Sequence, residues 1–115
     1  DALLGAAGAD DIGKHFPNTN PEYKGAKSID LLKKVISVID KKGFRVNNVD
    51  TVIIAEEPKL MPFIGKIKEE LSSVLKTDKD RVNIKASTNE GVGALGRGEA
   101  ISSYAVATLI EKEDG

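Results

Sequence analysis

Residues 49–55, VDTVIIA, form a short unbroken apolar run dominated by β-branched side chains. A run of this length and composition reads as a buried strand, and the Glu56-Glu57-Pro58 that follows ends it. A buried strand needs covering elements, and two amphipathic patterns supply them. Before it, Leu31, Leu32, Val35, Ile36, Val38 and Ile39 keep a helical stripe, with Ser28 read as the cap, Asp30 in the first turn, and Lys41, Lys42 and Gly43 closing the element. After it, Ile64, Ile67, Leu71, Val74 and Leu75 repeat at helical spacing, and Pro62 is tolerated at the start of that helix, where an N–H is not needed.

Two further strands complete the pattern. Val82, Ile84 and Ala86 alternate with polar residues, and AISSYAVATLIEK near the end alternates again, with Ile101, Ser103, Ala105, Ala107 and Leu109 on one side. Upstream, DALLGAAG reads as the second half of a helix stopped at Gly8, its first half expected before Asp1. Asp10 to Gly25, DDIGKHFPNTNPEYKG, lacks helical or strand periodicity and reads as a long structured loop, a length that usually signals function. The order is helix, long loop, helix, strand, helix, strand, strand. That is an α/β (α+β) sandwich, a mixed sheet with helices on one face, and 115 residues suffice for one domain, 1–115, and no more.

Composition removes several functions. Seventeen basic against eighteen acidic residues leave a net charge of −1, so nothing advertises nucleic acid or an anionic membrane as partner. The absence of cysteine excludes thiolate catalysis, disulfides and cysteine zinc sites. No apolar run reaches a membrane span, which sets an intracellular protein as the expectation.

The stretch that carries chemistry is KASTNEGVGALGRGE, residues 85–99, where Gly91, Gly93 and Gly96 spell G-x-G-x-x-G. A dinucleotide fingerprint would need a crossover helix and a second parallel strand after it. The strand-like remainder leaves no room for them. The loop is then either a plain connection or a phosphate-holding turn. Thr88, Asn89 and Glu90 supply a hydroxyl, an amide and a carboxylate at a strand end, and Arg97 carries a guanidinium suited to phosphate. Elsewhere, Asp10 and Asp11 fit either a solvated turn or a site for a metal or ligand hydroxyls. His15 has no companion at ligand spacing and reads as a surface loop residue. EEPKLMP, 56–62, joins a strand end to a helix start, a place suited to an anion or a carbonyl edge, with Lys59 either assisting or simply solvated.

Taken together, DALLGAAG, DIGKHFPNTNP, VIIAEEPKLMP and NIKASTNEGVGALGRGEAI resemble, in order and over residues 1–110, the 2-C-methyl-D-erythritol 2,4-cyclodiphosphate synthases. The resemblance implies a ferredoxin-like sandwich, a homotrimer with active sites at the subunit interfaces, and a phosphorus–oxygen lyase of isoprenoid precursor biosynthesis. In that reaction the 2-phosphate of 4-diphosphocytidyl-2-C-methyl-D-erythritol 2-phosphate attacks the β-phosphate and expels CMP. By the same resemblance Asp1, Asp11, Ile12 and Gly13 hold the methylerythritol hydroxyls, and Phe16, Pro17, Asn18, Thr19 and Asn20 line that pocket. Ala55, Glu56, Glu57, Pro58, Lys59, Leu60 and Met61 form the cytosine pocket. Ser87, Thr88, Asn89 and Glu90 meet the diphosphate, with Thr88 the catalytic hydrogen-bond donor and Glu90 a ligand of magnesium or manganese. Arg97 contacts phosphate near the trimer axis, beside a cavity that takes isoprenoid diphosphates in the family and to which Ala94 would contribute.

Some features depart from the pattern. The family's zinc ligands, an Asp-x-His pair and a further histidine, are expected upstream of Asp1 together with its N-terminal strands. The resemblance therefore places no zinc ligand in this chain and makes activity a property of the longer protein. Asn18 and Asn20 stand where the family commonly has aspartates, and Ala94 where some members have an aromatic residue. The G-x-G-x-x-G spacing becomes incidental in this reading. A non-catalytic trimeric nucleotide- or isoprenoid-diphosphate-binding protein is the competing reading, and a bacterial cytoplasm or a plastid-type organelle the expected compartment.

Overall fold

A computed structural model describes residues 1–113 and shows a three-stranded mixed sheet with its helices on one face. Helix α1 spans Ala2–Ala6, α2 Ile12–His15, α3 Ser28–Lys41 and α4 Ile64–Leu75, with a single turn, α5, at Gly93–Gly96. Strand β1 runs Phe44–Ile54, β2 Val82–Ser87 and β3 Ser102–Glu111. The order across the sheet is β2-β1-β3, with β1 parallel to β2 and antiparallel to β3. The α+β sandwich expected from the sequence is the one observed.

The long central strand explains the topology. β1 begins at Phe44, five residues before the apolar run, and carries a bulge at Asn47, where pairing shifts from Val46↔Leu109 to Asn48↔Thr108. Both Val46 and Val49 therefore face the helices, three residues apart instead of two. The bulge is well anchored. Arg81 donates through Nη1 to the Asn47 carbonyl and to its Oδ1 at 3.3 and 2.6 Å, and Asn47 Nδ2 donates to Thr108 Oγ1 at 3.0 Å.

The core lies between the sheet and α1, α3 and α4. Leu3, Leu4, Val35, Ile36, Ile39, Leu75, Val82 and Ile84 are buried there with Val46 and Val49, and Leu4 is fully enclosed. Each such side chain contributes about 1.5–3 kcal/mol by leaving water, so α1 is held in place by packing rather than by its own propensity. Gly8, at φ +66°, follows its end as expected. Ser28 is not the cap of α3: Lys27 occupies that position without a side-chain bond, and Ser28 is the first helical residue. Pro62 lies in a 3₁₀ turn, Met61–Phe63, leading into α4.

The opposite face of the sheet is bare, which corrects the reading of 49–55 as fully buried. Val52 and Ile54 of β1 lie beside Tyr104 and Ser102 of β3 on that face, half-exposed. Tyr104 and Val106 are 62% and 70% exposed. Beside them Asp50 accepts hydrogen bonds from Lys85 Nζ at 3.0 Å and Asn83 Nδ2 at 3.1 Å. The bond from Lys85 leads, with that from Asn83, in holding the Asp50 carboxyl below the ordinary aspartate value.

Candidate active site

Ligands of open sheets bind beyond the carboxyl ends of parallel strands, and two of the expected site segments meet there. β1 and β2 run side by side from Val49↔Val82 to Ile54↔Ser87, and Ala55 N–H extends the ladder by donating to Ser87 O at 2.9 Å. The parallel register thus fixes the 55–61 segment against the start of the glycine turn. Between them lies a cavity of ≈ 150 Å³ lined by Ala55, Lys59, Leu60, Met61, Ala86, Ser87 and Thr88. Its volume is below that of a typical whole-ligand pocket, so it suits one flat ring rather than an entire nucleotide. Glu56, Glu57 and Pro58 do not line it.

The turn beyond β2 is built from internal bonds. Thr88 Oγ1 accepts from the Glu90 N–H at 3.2 Å, which leaves the hydroxyl proton free to donate outward. Asn89 Nδ2 donates to Val92 O at 2.8 Å, and Val92 N–H returns a bond to Asn89 O at 3.0 Å. Asn89 therefore closes the turn with its own side chain. Glu90 and Gly91 both have positive φ, +53° and +76°. The Glu90 carboxylate is exposed and makes no hydrogen bond or ion pair among the described residues.

The glycine spacing is structural, not incidental. Gly91 and Gly93 take left-handed backbone conformations, and a Cβ on Gly96 would stand 2.1 Å from the Gly91 carbonyl carbon. The three glycines let α5 fold back onto the turn that carries Glu90. Beyond it, Arg97 Nε and Nη2 each meet a Glu99 carboxylate oxygen at 3.1 Å. An incoming phosphate would share or displace Glu99. Ala94, in the same stretch of sequence, is exposed, as are Val92 and Ile101.

The second cluster is separate. Asp1 Oδ1 accepts from the Ile12 N–H at 2.8 Å, and Asp11 caps α2 by accepting from Lys14 N–H at 2.8 Å. Asp1 and the Asp11-Ile12-Gly13 turn are thus one unit, anchored by α1 to the core. Asp10 pairs with Lys14 on the surface. His15 is half-buried rather than on the surface: its Nε2 bonds to the Ala9 carbonyl, which can only accept, so that nitrogen carries the proton. Phe16 stacks edge-on against Tyr23 with centroids 5.3 Å apart, and Lys34 Nζ lies 4.7 Å over the Tyr23 ring. Asn20 Oδ1 accepts from Glu22 N–H, while Asn18 and Thr19 are exposed. Pro17 O accepts from Asn20 N–H. No hydrogen bond or ion pair among the described residues joins this cluster to the glycine turn.

The metal question divides along the same line. Among the described residues no three His, Cys, Asp or Glu side chains converge as a metal-holding group. These residues alone do not fit zinc, which takes three or four protein ligands. The free Glu90 carboxylate does fit a hard divalent ion of the magnesium type, which uses one or two carboxylates and takes its remaining ligands from phosphates and water. Among the described residues no helix is long and apolar enough to cross a membrane.

Fold and cleft define a mixed-sheet α+β protein with a small cavity at the carboxyl ends of two parallel strands, beside a glycine-built turn. The model of the YgbB family matches residues 1–110, and the chain belongs to that family. It is 53% identical over 109 residues to the 2-C-methyl-D-erythritol 2,4-cyclodiphosphate synthase of Syntrophotalea carbinolica, covering 95% of this chain and 66% of that one. Among solved structures it is similar to the bifunctional IspDF of Campylobacter jejuni, with a TM-score of 0.91 and 36% identity over 99% of this chain and 31% of that chain. It is also similar to the CDP complex of IspF from Plasmodium falciparum, with a TM-score of 0.84, 34% identity, and coverage of 98% of this chain and 67% of the other. The chain thus spans about two thirds of the curated relative.

Proposed function

We propose that the intact protein is a 2-C-methyl-D-erythritol 2,4-cyclodiphosphate synthase, a lyase that converts 4-diphosphocytidyl-2-C-methyl-D-erythritol 2-phosphate into the 2,4-cyclodiphosphate and CMP. The observation that carries this reading is the join between the small cavity at Ala55 and Lys59–Met61 and the Ser87–Glu90 turn. A ring in the first sets a diphosphate against the second. The names of the relatives, and a neighbour determined as a CDP complex, support the cytidine assignment and favour an enzyme over a non-catalytic binder.

The chemistry asks for positioning rather than covalent help. An oxygen of the 2-phosphate forms a bond to the β-phosphorus, and the β-phosphorus bond to the bridging oxygen breaks with its electron pair leaving on CMP. Thr88, its oxygen oriented by Glu90 N–H, donates its hydroxyl proton as a hydrogen bond toward the phosphoryl oxygens. Backbone groups at Ala55 and Lys59 to Met61 hold the base. Asp1 and the Asp11–Gly13 turn bind the methylerythritol hydroxyls, with Phe16, Pro17, Asn18, Thr19 and Asn20 beside them. Glu90 would hold a magnesium or manganese ion, which would supply positive charge against the crowded phosphates.

The separation of the diol cluster from the glycine turn, together with the bare apolar sheet face, supports a homotrimer in which adjacent copies complete each site. Arg97 and Ala94 then lie toward the axis, where an isoprenoid diphosphate would bind. A bacterial cytoplasm suits such an enzyme. The test is ³¹P NMR of the full-length protein with substrate and Mg²⁺, in which the cyclic diphosphate and CMP appear together. Calorimetry with CDP gives the second readout, and the absence of both product and CDP binding would overturn the assignment.

A further inference from the structure

Glu56 belongs in sequence to the 55–61 segment, yet its carboxylate turns away from the cavity. Oε1 accepts two bonds, from Asn89 N–H at 2.9 Å and from Gly91 N–H at 3.1 Å. These amides flank Glu90, and the positive φ of Glu90 and Gly91 aims them at one point. Backbone N–H groups converging in this way form a small anion nest. Here the nest is filled by the protein's own carboxylate, so substrate phosphate has no claim on it.

The consequence is mechanical. Among the described residues Glu90 makes no side-chain bond, and its backbone sits in a conformation that non-glycine residues rarely adopt. Something must hold it there, and the two bonds to Glu56 lie one residue to either side. Because Ala55 N–H is tied to Ser87 O, Glu56 is itself fixed by the sheet ladder. We propose that Glu56 is a positioning residue: by occupying the nest at Asn89 and Gly91 it holds Glu90 and the Thr88 hydroxyl in place for the diphosphate, bracing the phosphate turn against the base-binding segment. This rests on the activity proposed above, but its structural half does not.

The test uses the full-length protein as wild type, Glu56→Ala and Glu56→Gln, with two readouts. Amide hydrogen exchange by NMR is followed at Asn89 and Gly91, with Val52 and Ile84 in the sheet as internal references. Glu56→Ala speeds exchange at both turn amides by about tenfold and leaves the reference amides unchanged. In turnover it lowers kcat by about tenfold to a hundredfold with KM moved much less. Glu56→Gln, whose amide oxygen still accepts both bonds, restores most of each. Unchanged exchange in Glu56→Ala, acceleration of the sheet amides to the same degree, or a glutamine variant as impaired as alanine would each overturn the proposal. If wild type releases no CMP, the enzymatic reading fails while the exchange result still decides whether Glu56 holds the turn.

Discussion

At Gly96 the backbone leaves no room for a single added carbon. Its nearest neighbour is the Gly91 carbonyl carbon, part of a turn that cannot move without moving Glu90. Gly96→Ala is expected to lower turnover by about a hundredfold, the cost of displacing reacting groups by about an ångström. Far-ultraviolet circular dichroism stays unchanged, because the core lies elsewhere. Glu90→Gln makes the complementary prediction. It keeps the shape and removes the charge, so it weakens dependence on added Mg²⁺ and slows turnover; wild-type kinetics would refute the role given to that carboxylate. The sequence shows a hydroxyl, an amide, a carboxylate and a guanidinium in one glycine-rich stretch, which fits a phosphate-holding turn or a plain connection, and the role of each comes from the family resemblance. Their internal bonding is not legible there. That Glu56 fills the nest depends on a contact between segments 33 residues apart, which no local pattern records, while the closure of the turn by Asn89 and the cover of Arg97 by Glu99 are local contacts whose geometry the residue types alone leave open. Equally, no local signal shows that the glycines serve a close approach of backbone to backbone.

Among the elements, the amphipathic helices were read correctly because the 3.6-residue period survives intact in α3 and α4. β1 was read short for a definite reason. The bulge at Asn47 breaks the period of two between Val46 and Val49, so the short Phe44–Val46 alternation falls out of phase with the apolar run that follows. The cap of α3 also escaped, since Ser28 has the right chemistry one position too late. The end of α4 offers a test at this scale. Lys76 takes a left-handed conformation, φ +56°, where a Cβ is unfavourable and glycine is the usual choice. Lys76→Gly should raise stability by about 0.5–1 kcal/mol, measured by urea denaturation, and any loss would mean that the lysine side chain contributes more than its backbone costs.

The molecule as a whole has one covered and one open sheet face. Tyr104, Val106, Val52 and Ile54 form an apolar strip on the open side, bordered by the Asp50, Lys85 and Asn83 cluster. If copies associate through this strip, Val106→Lys dissociates the assembly, and sedimentation velocity of the full-length protein shows monomer where wild type shows trimer. The border carries a pH signature. Asp50 is held below its ordinary value of 3.8, chiefly by the bond from Lys85, so the folded protein favours its charged form. The stability it contributes is fully present above pH 3.8 and is lost as pH falls through the lowered folded-state value. The difference in urea midpoint between wild type and Asp50→Asn should therefore shrink when pH falls from 6 to 3. An unchanged difference would assign it to hydrogen bonding alone.

The central claim is that the Ser87–Glu90 turn presents a diphosphate to an internal phosphate rather than to water. The most direct measurement is turnover of the cytidylyl substrate by the full-length protein with Mg²⁺ in H₂¹⁸O, with both products weighed by mass spectrometry. Internal attack predicts CMP and a cyclic diphosphate formed in equal amounts, neither carrying ¹⁸O. Incorporation of ¹⁸O into CMP or into the methylerythritol product, or no release of CMP at all, would contradict it.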